Sequence, residues 1–326
     1  MKKRNMSFMI FWGSILLIAC IQPGAAQNRD GFSLHLENDF FAGTDRYYTN
    51  GMKFTWITSG STSRRSDSLS RRAVSVSIGQ NIYTPYDINL EDLIEDDRPY
   101  AGISYFTLAL HKKEDRTMNT WEFLLGIVGP SSLAEELQSF VHGLLQNSEP
   151  KGWQHQLKDE IVFGIIFDRK WRIFRSQEEQ KFGYDFVGHA GGSFGTMITA
   201  VATGWQFRFG LNLPRDFGTF LIRPGGESGA LFNDLSFQQK DAQRSGVHGF
   251  VYLVGHGVIR NIFLDGNTYS DSHRVDKYPF VSDIAIGFVI SLKRFKISYA
   301  YVYRTKQFKT QDKPQIFGAI NISYVY

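Results

Sequence analysis

The chain closes on Ile320-Asn321-Ile322-Ser323-Tyr324-Val325-Tyr326, where apolar and polar side chains alternate and the last residue is aromatic. Successive side chains of a β-strand point to opposite faces, so this alternation predicts a strand with one apolar and one polar face. Such a strand suits a wall with an apolar environment on one side and a polar one on the other.

The same period of two recurs upstream. It covers Gly31 to Glu37, Met52 to Trp56, Val74 to Gly79, Phe106 to Leu110, Trp121 to Ile127, Leu157 to Phe167, and residues 182–192, 196–212, 247–264, 279–292, 295–308 and 315–326. The last segment resembles the C-terminal strand of bacterial outer-membrane barrels. We therefore predict an all-β fold, an up-and-down antiparallel transmembrane β-barrel of about twelve strands, over a soluble sandwich. Residues 213–246 show no clear pattern.

The first residues predict export. A basic start at residues 2–4 precedes an apolar run over residues 8–19, and residues 24–26 are small enough for cleavage. We expect a signal peptide over residues 1–26 and one outer-membrane barrel domain over residues 27–326. No apolar run of about 18 residues follows the signal, so we expect no transmembrane helix.

Composition narrows the classes of function. Cleavage after residue 26 would lower the formal net charge from +4 to +1. A near-neutral chain lacks the basic field that binds nucleic acid, so no nucleic-acid partner is expected. Cys20 is the only cysteine and would leave with the signal, which excludes a disulfide framework. Alternatively, Leu17-Ile18-Ala19-Cys20 is a lipoprotein box and Cys20 is lipidated.

One segment breaks the β pattern. Residues Pro130 to Gln146 place apolar side chains at helical spacing, which predicts a short amphipathic helix in an extracellular connection. Ser132 followed by Glu135 fits a capping box at the start of this helix. His142 falls on the polar stripe and is expected to face away from the apolar side.

Strand parity brings three polar connections together. In an up-and-down barrel the connections 1–2, 3–4 and 5–6 share one rim. Here they are Asn38 to Gly51, Thr84 to Tyr100 and Pro130 to Gln156. With both termini on the periplasmic side, this rim faces outward, so the three connections meet near the outer leaflet.

Several side chains in these connections suit hydrolysis. His142 is a candidate general base, although a lone histidine on a helix is often only a surface residue. Asn38 and Asp39 carry oxygens that suit Ca²⁺, or they cap a turn. Arg98 is a candidate for oxyanion stabilisation, or it neutralises the acidic run before it. Ser193 lies in a G-x-S-x-G pattern but lacks the α/β setting of a nucleophile elbow, so we reject it.

Together these motifs resemble the outer-membrane lipid A 3′-O-deacylase family. The similarity rests on Asn38-Asp39, Thr44-Asp45, Tyr48-Thr49-Asn50-Gly51, Asp97-Arg98-Pro99-Tyr100-Ala101-Gly102, His142, Pro150-Lys151-Gly152-Trp153 and Gln156-Leu157. The resemblance implies a monomeric twelve-stranded barrel that removes the 3′-acyloxyacyl group of lipid A, the lipid part of lipopolysaccharide, among outer-membrane lipids and with Ca²⁺.

The resemblance also implies roles for individual residues. The catalytic residues are His142 as general base, Arg98 as oxyanion stabiliser and Glu149 as the carboxylate that orients His142. Asn38 and Asp39 hold the metal, and the substrate-binding residues are Asn38, Thr49, Asn50 and Tyr100. The expected reaction is ester hydrolysis by a histidine-activated water. Two alternatives stay open: a passive barrel that binds lipid or forms a pore, and a calcium-dependent outer-membrane phospholipase.

Overall fold

The computed structural model describes residues 30–43, 46–65, 68–176, 181–218 and 245–326. The expected signal peptide with Cys20, and Thr44 and Asp45 of the first connection, lie outside the described residues. Within the described residues the chain forms a closed barrel of twelve strands, each antiparallel to its neighbours in sequence, with the first strand paired to the last. The prediction of an up-and-down barrel is confirmed.

Each predicted strand segment lies within or overlaps one observed strand, although several strands are longer than predicted. The strands are β1 (Asp30–Asn38), β2 (Tyr47–Arg65), β3 (Ser68–Thr84), β4 (Ala101–Lys113), β5 (Thr117–Val128), β6 (Glu160–Arg175), β7 (Phe182–Gly195), β8 (Ile198–Leu211), β9 (Gly246–Asn261), β10 (Phe280–Leu292), β11 (Phe295–Arg304) and β12 (Gln315–Val325). The helices are α1 (Ala134–Leu145) and the single turn α2 (Ile262–Asp265), with 3₁₀ turns at Asp39–Ala42, Pro130–Ser132 and Trp153–His155. Among the described residues, neither helix has the length and apolar character needed to cross a membrane.

Alternation along the strands separates the two faces of the wall. In β4, Phe106, Leu108 and Leu110 are exposed, whereas the residues between them are buried. Exposed large apolar side chains in regular alternation form the lipid-facing belt of a membrane barrel. The inward positions carry polar residues such as Ser75 on β3, together with a cluster of buried aromatic and aliphatic side chains that includes Tyr83 and is called the lumen cluster below.

Strand register aligns outward-facing residues into rows around the wall. We define the upper row as Gly318, Asn38, Asn50, Ile82 and Gly102, which pair in that order on β12, β1, β2, β3 and β4.

The next row lies two residues further along each strand, away from the rim that holds the connection between β1 and β2. We define the lower row as Ile320, Leu36, Met52, Gln80, Ser104, Ile127 and Ile161, which continues the pairing onto β5 and β6. The two rows locate the candidate site on the outside of the barrel.

The lumen is occupied at the rim that holds both termini. The described residues after β8, 212–218, fold back into the barrel, where Phe217 and Asp216 are fully buried. The Arg208 guanidinium forms ion pairs with Asp216 and with Asp185 of β7, and the ammonium group of Lys296 lies 2.8 Å from Asp216. Asp216 and Phe217 therefore occupy space inside this end of the barrel, where a pore would need an open path.

Candidate active site

The helix α1 packs on the outside of the wall, over β3 and β4. Ala134 at its start lies against Gly102, where a side chain on Gly102 would overlap both Ala134 and Ser132. Ile82, Ala134 and Trp153 belong to one buried cluster. The absence of a side chain at position 102 therefore allows the helix to contact the wall directly.

Hydrogen bonds fix the start of α1 to the lower row. The Ser132 carbonyl accepts hydrogen bonds from Gln80 Nε2 at 2.6 Å and from Ser104 Oγ at 2.7 Å. Ser132 lies in a 3₁₀ turn, and Leu133, with a left-handed φ of 59°, precedes the helix without a side-chain cap. The predicted capping box of Ser132 and Glu135 is therefore wrong, because tertiary contacts to the wall set the start of the helix.

The helix packs with its polar stripe inward. Gln138 and His142 are buried against the protein, whereas Phe140 and Leu144 are 65% and 72% exposed. His142 does face away from the apolar side, as expected. In a water-soluble protein the apolar stripe packs on the core; here only Leu137 of that stripe packs against a buried cluster, and Phe140 and Leu144 point away from the protein.

A backbone carbonyl orients His142. Its Nδ1 lies 2.6 Å from the carbonyl oxygen of Ser148. A carbonyl can only accept, so Nδ1 carries the hydrogen and, in the neutral ring, Nε2 carries the lone pair. The orienting contact on Nδ1 thus comes from Ser148, while Glu149, to which the sequence assigned this role, is exposed. A backbone acceptor has no side-chain signal, so sequence reasoning missed it.

Gln138 and Trp153 support the helix below His142. Trp153 Nε1 donates a hydrogen bond to Gln138 Oε1 at 2.9 Å, and the Trp153 ring lies 5.0 Å from that of Tyr100. Tyr100 is almost completely buried in this packing. Tyr100, predicted to bind substrate, therefore lies in the buried packing between the helix and the wall.

Asn38 and Asn50 lie opposite each other in the upper row. Asn38 Oδ1 accepts a hydrogen bond from Phe40 N at 2.7 Å and caps the 3₁₀ turn. Asp39 Oδ2 accepts one from Arg46 N at 2.6 Å. Both side chains therefore accept hydrogen bonds from backbone N–H groups, as the turn-capping alternative predicts.

Thr49 is held beside this pair. Its hydroxyl shares a buried hydrogen bond of 2.7 Å with the hydroxyl of Thr84 on β3. Thr49, Thr84 and Asn50 thus add hydroxyl and amide groups to the edge of the upper row.

The side-chain oxygens near the upper row are of the types that bind a hard cation. Asp39 supplies a carboxylate, Asn38 and Asn50 supply amide oxygens, and Thr49 supplies a hydroxyl, all of which are oxygen ligands of the type Ca²⁺ takes. Within the described residues, no three acidic, histidine or cysteine side chains converge on one point. These residues would therefore offer a Ca²⁺ ion one carboxylate, from Asp39, and otherwise neutral oxygens.

Arg98 lies on the other side of the wall. Its guanidinium stacks 4.5 Å from the ring of Tyr83, which belongs to the lumen cluster, and reaches the Phe263 carbonyl and Gln307 Oε1 at 3.4 Å. Burial lowers the pKa of Arg98 to about 10. Burial also raises the pKa of its neighbour Asp97. The expectation that Arg98 acts on the same carbonyl as His142 conflicts with this placement.

A cavity of about 170 Å³ lies in the lumen near the same rim. It is lined by His189, which contacts Asp168 at 3.3 Å, and by Ser193. Ser193 and His189 are four residues apart on one strand, roughly 13 Å, so they do not form a nucleophile and base pair. The rejection of Ser193 as a nucleophile agrees with this geometry.

The closed wall with its exposed apolar belt defines the class of the protein, an outer-membrane β-barrel. Its candidate general base, His142, lies on the outside of this wall. The family model described as "Outer membrane protein LpxR" matches residues 10–326, and the chain belongs to that family. Comparison with curated protein sequences gave no significant match.

One solved structure has the same fold. LpxR from Salmonella typhimurium superposes with a TM-score of 0.72 at 16% identity, covering 90% of this chain and 99% of that one. The β domain of the Bordetella autotransporter Brka gives a TM-score of 0.43 at 8% identity, covering 92% and 98%. The translocator domain of NalP from Neisseria meningitidis gives 0.41 at 7% identity, covering 98% and 96%.

Proposed function

We propose that this protein is a hydrolase that removes the ester-linked 3′-acyloxyacyl group of lipid A in the outer leaflet. The observation that carries the proposal is His142, held in one tautomer on a helix that packs on the outer wall. A site on this face is reached sideways from the membrane, which selects lipid substrates. Membership of the LpxR family supports the same activity.

The path of α1 supports a site shared by His142 and the two asparagines. The helix begins over Gly102 on β4 and contacts Ile82 on β3. One helical turn advances about 5.4 Å, close to the strand spacing of about 4.8 Å. His142 lies two turns beyond Ala134, so it is expected near β2 and β1, where the upper row presents Asn50 and Asn38.

The chemistry follows from the tautomer. His142 Nε2 takes a proton from a water molecule as that water attacks the ester carbonyl. The Ser148 carbonyl, bound to Nδ1–H, stabilises the imidazolium that forms. Return of the proton to the leaving alkoxide gives the free 3′-hydroxyl of lipid A and a carboxylic acid, which ionises. No covalent intermediate with the protein is required.

Asn38, Asn50 and Asp39 would hold a Ca²⁺ ion and the polar part of the lipid. When bound, the cation would polarise the ester carbonyl and stabilise its developing negative charge. Asn50 would in addition donate its amide hydrogens to the substrate. Arg98 supports the mouth of the barrel in this account, because its contacts lie on the lumen side.

The occupied lumen argues against a passive pore. Arg208, Asp216 and Phe217 are buried at the end where both termini lie. The phospholipase alternative is also weakened, since that class uses a serine nucleophile and the only serine pattern singled out, at Ser193, lies on the lumen side.

Mass spectrometry of products from the purified barrel in detergent tests the proposal. Lipid A and a glycerophospholipid are offered separately, each with Ca²⁺ or with a chelator. We expect lipid A to lose one acyloxyacyl unit only when Ca²⁺ is present. Release of fatty acid from phospholipid alone would show that the protein is a phospholipase. The absence of product from either lipid with a folded barrel would favour the passive barrel. Full turnover of lipid A in the presence of the chelator would show that the reaction needs no cation.

A further inference from the structure

The lipid-facing belt has a gap on β3 and β4. Five of the seven residues of the lower row are apolar, but Gln80 and Ser104 are polar. One row down, Ile78 and Phe106 are apolar again. On the far side of the gap, Ile161 on β6 is 70% exposed. Apolar wall therefore surrounds a short polar patch.

The start of α1 covers this gap. Gln80 and Ser104 both donate hydrogen bonds to the Ser132 carbonyl, so their polar groups are satisfied by protein. In the row above, Gly102 is covered by Ala134, and Ile82 lies in the same buried cluster as Ala134. The helix thus occupies the position that lipid occupies beside the neighbouring strands.

The outer face of α1 has the character of the belt it covers. Leu133, Phe140 and Leu144 are exposed and lie along one stripe of the helix. Gln138 and His142 are buried on the side of the helix opposite Phe140 and Leu144. An exposed apolar face of this kind in a monomer marks an interaction surface, and an apolar stripe directed away from the protein is the arrangement of an interfacial helix.

We propose that α1 is a membrane-embedded part of the wall, with Leu133, Phe140 and Leu144 immersed among the acyl chains of the surrounding outer-leaflet lipids. The occupant is lipid because α1 covers the wall at the level of the belt: apolar residues of the lower row flank the covered gap on both sides, Met52 on β2 and Ile127 on β5. Acyl chains then lie along the helix that carries His142. The proposal rests on the placement of α1 and holds whether or not the protein hydrolyses lipid.

Site-directed spin labelling measures this immersion. Because Cys20 is the only cysteine, a Cys20→Ser background permits single labels at Leu144→Cys, at Glu136→Cys on an exposed polar position of the same helix, and at Leu125→Cys in the belt of β5. The labelled full-length barrels are placed one per lipid nanodisc. Collision with oxygen, which concentrates in the acyl region, is compared with collision with a water-soluble nickel complex.

We expect the label at position 144 to match that at 125, with oxygen access exceeding nickel access, and the label at 136 to show the reverse. Equal nickel access at 144 and 136 would place the apolar face in water and overturn the proposal. Protection at 144 only in discs that hold two barrels would make the face a contact between copies and would also overturn it. None of these outcomes depends on hydrolysis, which is scored separately by the lipid A products.

Discussion

Gly102→Ala tests the contact between α1 and the wall. A methyl group at position 102 would overlap the Ala134 methyl and the Ser132 hydroxyl, and both belong to the segment that starts the helix. Apolar atoms pack no closer than about 3.5 Å, so the start of α1 must move outward by about 1 Å or more. The strand itself tolerates alanine, since position 102 has an ordinary strand conformation.

The magnitude follows from the position of His142 on the same helix. A displacement of about 1 Å at a catalytic group lowers a rate by roughly 10²-fold. The hydrogen bonds from Gln80 and Ser104 to the Ser132 carbonyl, 2.6 and 2.7 Å long, would lengthen together. We therefore expect about 1% of the wild-type deacylation rate, with the barrel intact.

The matched control is Gly143→Ala, on the exposed side of α1, where an added methyl meets nothing within 4 Å. Both variants are assayed for the rate of lipid A deacylation, and for folding by the electrophoretic shift of unheated samples. The control should keep its rate, since alanine strengthens a helix by about 1 kcal/mol over glycine. Wild-type rates in a folded Gly102→Ala barrel would refute the reasoning that close packing of α1 positions the base.

Three further predictions concern the cation, the mouth and the closed end of the barrel. Asn50→Ala should raise the Ca²⁺ concentration needed for half-maximal deacylation, measured by titration; an unchanged titration would remove Asn50 from the cation site. Arg98→Met should lower the free energy of unfolding by about 2 kcal/mol, because the stacking on Tyr83 is lost, and thermal unfolding measures this. The deacylation rate per folded barrel should stay within about tenfold of the wild-type rate. A role in stabilising the oxyanion would instead require a loss of roughly 10² to 10³ in that rate. Burial opposes the ionised form of Asp216, but the charges of Lys296 and Arg208 outweigh it and hold its pKa well below the ordinary 3.8. The ionised carboxylate therefore stabilises the fold above that pH and its contribution is lost as the pH falls further, so wild-type thermal stability should hold from pH 7 to about pH 4 and then decline. Asp216→Asn should be less stable at pH 7 by about 3 kcal/mol and show a flatter pH profile; equal profiles would contradict the assignment.

The sequence predicted the wall well because its signal is local. Period-two alternation follows from strand geometry, so each segment could be identified alone, and parity then assigned the connections to one rim. The bulge that shifts the β2–β3 register between Tyr48 and Asn50 was not predicted, since its cause lies in the pairing of two strands.

The helix was predicted in place but not in its packing. Helical spacing locates α1, yet spacing cannot say which stripe meets protein when the other side of the helix faces lipid. The capping box failed for a related reason: the Ser132 carbonyl is committed to Gln80 and Ser104, residues far away in the sequence.

Residues in irregular connections were the least predictable. Arg98 and Tyr100 are two positions apart, yet Arg98 packs on Tyr83 in the lumen and Tyr100 on Trp153 outside the wall. Motif resemblance groups them as one site, whereas the wall separates them. Only the path of the chain before β4 decides which side each reaches.

The most direct test of the account is the lipid A of cells that express the protein, compared by mass spectrometry for wild type, His142→Ala and His155→Ala. His155 is a matched control because it lies in the same connection, in the 3₁₀ turn Trp153–His155. We predict loss of the 3′-acyloxyacyl group with wild type and with His155→Ala, and intact lipid A with His142→Ala at equal levels of folded barrel. Deacylated lipid A from cells with His142→Ala would contradict the account.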